Sequence, residues 1–337
     1  MSKNLSNYQG LIRNIGDILT RGRQRAYVAV DNILVETYWN IGREIVEYEQ
    51  KGNERAEYGS ELLRILSRDL KVQHGKGFSI SNVYGMRQFY LKYQKFQTVS
   101  GKLTWSHYVA LLSVSDDLAR GFYAKQCVNE AWSVRNLERQ INSMLFERIA
   151  LSKDKKGVLK MSKEGQMITK GEDAVKEPYV LEFLGLPQGR KYSEKELEQK
   201  IIDNLQMFLL EMGKGFAFVG RQYRISFSNK HFYVDLVFYH RVLKCFVLVD
   251  LKIGHVDHLD VGQMNMYLNY FKKEEMTSGD AAPIGIILGA DKKDHALVEY
   301  ALGGVSDKLF VSKYQLYLPD RKVLQNKLND LLGRDSV

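Results

Sequence analysis

A chain of 337 residues is long for one domain and comfortable for two, and 45% hydrophobic content with only four prolines describes folded rather than disordered protein. There is no apolar run approaching about 18 residues, no charged leader ahead of an apolar core, and only two cysteines, Cys127 and Cys245. The expectation is a soluble cytoplasmic protein that does not engage a membrane and has neither a disulfide framework nor a cysteine zinc site. The net charge of +9 is uneven: residues 1–150 hold 21 Lys+Arg against 15 Asp+Glu, residues 151–192 hold 9 against 6, and residues 193–337 hold 19 against 19.

Apolar positions at three- and four-residue spacing predict helices over Ala26–Val46, Leu62–Val72, Val83–Phe96 and Leu137–Ile149. Residues 1–150 are therefore expected to form a helical, DNA-binding or targeting domain. Within Arg64–Lys95 seven basic residues accompany a single acid, Asp69, a composition suited to a polyanion and equally to a solvated face. The helix near Leu62–Leu70, the glycine-bearing turn through His74–Phe78 and a following helix capped by Ser79 or Ser81 suggest a helix-turn-helix. Its second helix would present Asn82, Tyr84, Arg87, Gln88 and Lys92 to a groove, with Arg87 and Lys92 as candidate nucleic-acid contacts. A helix pair packed in a bundle explains the same pattern.

Residues 151–177 are rich in Lys, Gly, Ser and Asp with little periodicity and are expected to be a linker or exposed loop. A second domain over 178–337 then begins. Ser193 with Glu196 three residues on is a capping-box pattern for a helix to Met212, stopped by Gly213. Strands are expected over Phe216–Phe227, His231–His240 and Lys244–Leu251, a helix over Leu259–Lys272, a strand over Pro283–Leu288, a helix over Asp294–Ala301 and a strand over Lys308–Val311. This order suits an α/β mixed sheet flanked by helices.

Asp235 lies inside one apolar strand and Asp250 closes the next, and acids among β-branched and aromatic neighbours are costly unless a cation compensates them. Strand alternation puts Asp250 and Lys252 on one face and Leu251 on the other. Two carboxylates that hold Mg²⁺, with Mn²⁺ as the alternative ion, and an adjacent ammonium form a set suited to phosphodiester hydrolysis. Arg221 and Gln222 follow Gly220 on the preceding strand as candidate nucleic-acid contacts, where an arginine would bind a scissile phosphate or balance the acids. Gln263 and Tyr267, at i and i+4, share one helix face.

Asp235, then Asp250-Leu-Lys252, then Gln263-x-x-x-Tyr267 resembles the PD-(D/E)XK nuclease superfamily, in the subset with a Q-x-x-x-Y helix. Gly215-Phe-Ala-Phe-Val-Gly-Arg-Gln222 and Asp260-Val-Gly-Gln-Met-Asn-Met-Tyr267 resemble its YhcG-type branch, as do Tyr38-Trp-Asn-Ile-Gly42, Gly77-Phe-Ser79, Trp105-Ser-His-Tyr108 and Trp132-Ser-Val-Arg135. Val234 replaces the proline of the name motif. The resemblance implies a restriction-endonuclease-like sheet behind a helical domain, and a metal-dependent endonuclease acting on DNA. It implies metal ligation by Asp235, Asp250 and the Leu251 carbonyl, catalytic roles for Lys252, Gln263 and Tyr267, and a third carboxylate at Glu198, for which Glu194, Glu196 and Glu211 compete. An RNA-directed nuclease, or a binding or assembly protein on a nuclease-like scaffold, are the rival functions, and self-association is left open.

Overall fold

The computed structural model describes residues 2–51, 56–95, 101–186, 192–227, 229–291 and 308–334, so the helix expected at Asp294–Ala301 lies outside the described residues. The chain divides into two compact units, Met1–Leu137 and Glu138–Val337. No described helix is long and apolar enough to cross a membrane.

The first unit is helical: α1 (Ser2–Lys51), α2 (Ala56–His74), α3 (Ile80–Lys92), α4 (Trp105–Leu112), α5 (Asp117–Glu130) and the start of α6 (Val134–Asn142). Its core gathers Ile45, Leu63 and Val83, with Ile41, Leu66 and Phe78 packed against them. Beside it Phe89 meets Trp105 edge-on and Tyr108 at a tilt, and Trp39 meets Tyr90 and donates its indole N–H to the Tyr93 carbonyl at 2.6 Å. Gly42 marks where α1 touches α3, since a Cβ there would stand 2.0 Å from the Met86 carbonyl oxygen. His107 accepts the Thr104 backbone N–H at 3.2 Å through Nδ1 and meets the Trp132 carbonyl at 3.0 Å through Nε2, so this histidine ties α4 to the turn after α5.

The second unit holds a six-stranded sheet. In chain order its elements are α7 (Leu145–Ala150), α8 (Lys155–Glu164), β1 (Tyr179–Val180), α9 (Glu194–Asp203), α10 (Leu205–Met212), β2 (Phe216–Phe227), β3 (Lys230–His240), β4 (Cys245–His255), α11 (His258–Tyr270), β5 (Ile284–Asp291), β6 (Leu309–Gln315) and a last helix, Arg321–Leu332. Strand order is β1-β6-β5-β4-β3-β2; β2, β3 and β4 are antiparallel, and β4, β5, β6 and β1 run parallel. One face packs Val247, Val249 and Leu251 of β4 with Leu197, Ile201 and Phe208 of α9 and α10. The other packs Leu248 and Ile287 with Val261, Met264 and Leu268 of α11. Gly285 lets α11 lie close on the sheet, because a Cβ there would meet Met264 at 2.7 Å.

Three details depart from the sequence reading. The stretch expected as a linker contains α8, whose N-cap Asp154 accepts the Gly157 N–H at 2.8 Å and whose Val158 and Met161 are buried. A short apolar pair one helical turn apart, masked by lysines, suffices to order it. The helix expected through Met212 breaks at Asn204, and the one expected over Leu137–Ile149 breaks at Met144, which adopts φ 53°. The gap before α7 accommodates a buried ion cluster. Glu211, fully buried, meets Arg148 at 2.7 Å and Arg139 at 3.0 Å, and these cations hold its carboxyl down to about 2 against the cost of burial.

Candidate active site

The β3–β4 ladder ends at Leu236↔Val249, so Asp235 and Asp250 each lie one residue beyond the last pair, at the point where the strands part. The Leu251 N–H donates to Asp235 Oδ2 at 2.8 Å, which fixes the carboxylate against the neighbouring strand. Asp250 is buried, and Lys252 reaches its Oδ2 at 2.9 Å while Leu251 enters the opposite core. Burial first and Asp235 second push the Asp250 carboxyl up to about 7, although Lys252 opposes the shift. Asp235 is likewise raised, mainly by burial, with the Leu251 and Gln222 hydrogen bonds working against it.

Gln222 contributes more than its place on a strand suggests. Its backbone adopts φ 47°, close after the register shift between Phe218 and Gly220. Its side-chain amide donates to Glu198 Oε2 at 2.7 Å and to Asp235 Oδ1 at 3.0 Å, linking the buried glutamate of α9 to the aspartate of β3. A left-handed glutamine that bridges two acids is local backbone strain that the two contacts offset. Arg221 points elsewhere and donates to Gln199 at 2.9 Å. Of the glutamates that compete with Glu198, Glu196 closes the capping box on Ser193 and Glu211 belongs to the ion cluster, while Glu194 acts on Lys252 through its charge.

On α11, Gln263 donates to the Tyr267 hydroxyl, and that hydroxyl donates to the Tyr233 carbonyl at 3.0 Å. The pair thus grips β3 two residues before Asp235 and does not touch Lys252 by a hydrogen bond. Asp260 was missed by the sequence reading, yet it meets Lys252 at 3.3 Å. It also closes the capping box of α11 with Asp257, whose side chain accepts from Leu259 and Asp260. Asp257-x-x-Asp260 before an apolar helix was the available signal.

Among the described residues no group of three or more His, Cys, Asp or Glu side chains stands ready to hold a metal. The arrangement explains this: Glu198 is joined to Asp235 through Gln222 instead of directly, and Asp250 is turned to Lys252. The donor set nevertheless fits a hard divalent cation, because a buried and a half-buried carboxylate share one nearby ammonium and both are held above their ordinary range.

The helix pair of the first unit is capped by Ser79, which accepts the Asn82 N–H at 3.2 Å. Asn82 is committed locally, accepting the Trp105 indole N–H at 2.7 Å and donating to Gly77. Arg87 grips Glu49 of α1 through Nε at 2.8 and 3.0 Å, whereas exposed Lys92 lies 3.5 Å from Asp117. Tyr84 is exposed. Arg64 and Arg68 also meet acids, Glu61 and Asp69, at the surface.

A mixed sheet with an aspartate on one antiparallel strand, Asp-x-Lys on the next and helices on both faces defines a PD-(D/E)XK-type nuclease domain. Residues 172–329 match the YhcG PDDEXK nuclease domain and residues 14–148 the DUF1016 N-terminal domain. Over 355 aligned residues the chain is 39% identical to a protein of Escherichia coli (strain K12) named "Putative nuclease YhcG", covering 96% of this chain and 94% of that one. The chain belongs to the YhcG family of nucleases. Among solved structures, a repair endonuclease from Pyrococcus abyssi aligns over 40% of this chain and 50% of its own, with 20% identity and a TM-score of 0.27. An EndoMS complex with double-stranded DNA aligns over 40% and 51%, with 16% identity and a TM-score of 0.28.

Proposed function

We propose that this nuclease is a divalent-metal-dependent DNA endonuclease, with Mg²⁺ as the ion and Mn²⁺ as its substitute. The observation that carries the reading is the pair of strained acids, Asp235 and Asp250, beside a lysine that two carboxylates keep charged. Asp235, Asp250 and the Leu251 carbonyl would hold the cation, which when bound supplies polarisation of the phosphate and a water of lowered pKa. Lys252, raised by its contacts with Asp250 and Asp260 despite burial, stays an ammonium. Its role is therefore to place positive charge where negative charge develops on the phosphate, not to take a proton.

Gln222 holds Glu198 and Asp235 at a fixed separation, and Glu198 is the third carboxylate of the site. Gln263 and Tyr267 hold β3 in register behind Asp235. Arg221, exposed and donating to Gln199 outside the carboxylate cluster, would meet the nucleic-acid backbone rather than neutralise the acids. Arg87 and Lys92 of α3 are the candidate contacts of the first unit.

The test is cleavage of plasmid, linear, branched and RNA substrates by the wild-type chain with Mg²⁺, Mn²⁺ or EDTA, alongside Asp250→Ala. Metal-dependent cutting of DNA that Asp250→Ala loses is the expected result. Cutting of RNA alone would move the substrate class, and undiminished cutting in EDTA would remove the metal.

A further inference from the structure

From Tyr8 to Ile33 along α1, apolar or small residues recur at alternating intervals of four and three, a heptad seam about 39 Å long at 1.5 Å per residue. Its large members are 44% to 64% exposed, and nothing lies within 4 Å of where a Gly22 Cβ would be. A seam of this regularity with water on it is incomplete.

We propose that a second copy of this chain covers it, with the two α1 helices antiparallel about an axis between Leu19 and Gly22. Antiparallel seams face residues of alternate heptad positions, and here that pairing matches each bulky side chain to a small one along the middle of the seam, with two large residues meeting only at its ends. Leu19 falls on Gly22 of the other copy, Ile15 on Ala26, Ile12 on Ala29, and Tyr8 on Ile33 at the ends. A parallel arrangement would stack Ile15 on Ile15 and Gly22 on Gly22, leaving the seam wide at one end and pinched at the other. Gly22 is a poor choice for a helix interior, and close approach of a partner helix gives it a reason.

The flanking charges agree with this register. Arg23 and Arg25 come to lie beside Gly16 and Ile18 of the other copy rather than beside each other, so their aliphatic stems close the edges of the seam without like-charge contact. A strip of this length and a helix's width withdraws on the order of 600 Å² per copy, and the total of about 1,200 Å² reaches the range of stable interfaces. The two surfaces are one patch used twice, so the contact closes at two copies.

Light scattering on the full chain should read two 38.9 kDa copies, with Ile15→Glu and Gly22→Leu reading one. Both sites are exposed, and Gly22→Leu improves helix propensity, so loss of the dimer there reports the contact and not unfolding; circular dichroism checks this. Register is tested by cysteines. Ile15→Cys and Ala26→Cys should each stay uncrosslinked alone under oxidation and form a disulfide-linked pair when mixed, the native Cys127 and Cys245 being buried. A wild-type chain that reads as one copy overturns the proposal, whether the stripe then takes up vesicles, DNA or nothing. So does a dimer indifferent to Ile15→Glu, or one in which either cysteine crosslinks to itself.

Discussion

Asp250 sets the pH behaviour of the site. Its folded-state carboxyl titrates near 7 against an ordinary value of 3.8, so the folded chain without metal binds a proton that the unfolded chain releases. Stability from this group is full below its ordinary value and is lost as pH rises toward 7. Metal requires the ionised form, so Mg²⁺ affinity should climb between about pH 6 and 8, with proton uptake by the buffer on binding. Calorimetry in buffers of different ionisation enthalpy reads that proton; a flat profile across this range would contradict the raised carboxyl. Asp250→Asn should raise the melting temperature of the metal-free chain at pH 8 while abolishing cleavage. Lys252→Ala should lower the cleavage rate by at least ~10²-fold, the scale of removing one charge-stabilising group; wild-type rates in the purified, folded variant would remove its role. The three charged residues were legible because strand alternation is local and an acid in an apolar strand stands out. Asp260 and the bridging amide of Gln222 were not, because each contact depends on where a different element ends: the first turn of α11, and the bulge that turns Gln222 to φ 47°.

At the scale of elements, local periodicity located helices and strands well and their interruptions poorly. Asn204 and Met144 break helices that hydrophobic spacing alone would continue, and at Met144 spacing does not register the buried ion cluster that Arg139 and Arg148, on either side of it, form with Glu211. That cluster should dominate the stability of the second unit. Glu211→Ala leaves Arg148 buried without its carboxylate and Arg139 with Glu182 alone, a loss of roughly 3–5 kcal/mol by denaturant unfolding. The low Glu211 carboxyl places this contribution above pH 4.5, with loss as pH falls toward 2. An effect under about 1 kcal/mol, the size expected of an exposed pair, would show the cluster to be dispensable. In the first unit the basic run Arg64–Lys95 was legible as a charge pattern, but Glu49, Glu61 and Asp117 come from outside that window to meet Arg87, Arg64 and Lys92. Arg87 can therefore be tested by release. If it contacts phosphate, Glu49→Gln should tighten binding of duplex DNA and Arg87→Ala/Lys92→Ala should weaken it, both read by anisotropy in EDTA. Equal affinity in all three chains, with helicity intact, would leave α3 as a packing helix.

For the molecule as a whole, charge is unevenly divided: an excess of nine positive charges precedes residue 193 and none follows it. A nuclease needs affinity for its substrate, yet a strongly basic catalytic surface would compete with a cation for the carboxylates; a neutral sheet region and a basic helical unit in one chain would separate the two demands. Salt dependence measures where the affinity resides, because each neutralised phosphate of duplex DNA steepens the plot of log affinity against log salt by about 0.9. In EDTA, Asp250→Ala should keep the wild-type slope, since it changes the reaction site and not the basic surface. The segment 1–142, which ends with α6 and contains the core around Ile45, Leu63 and Val83, should carry most of that slope, and 138–337 little of it. Pairing of exposed Arg64 and Arg68 with Glu61 and Asp69 does not prevent this, because surface ion pairs are weak enough for phosphate to displace. A slope for 138–337 as steep as the full chain's would relocate the electrostatic footprint to the nuclease unit, with exposed Arg221 as the first residue to replace.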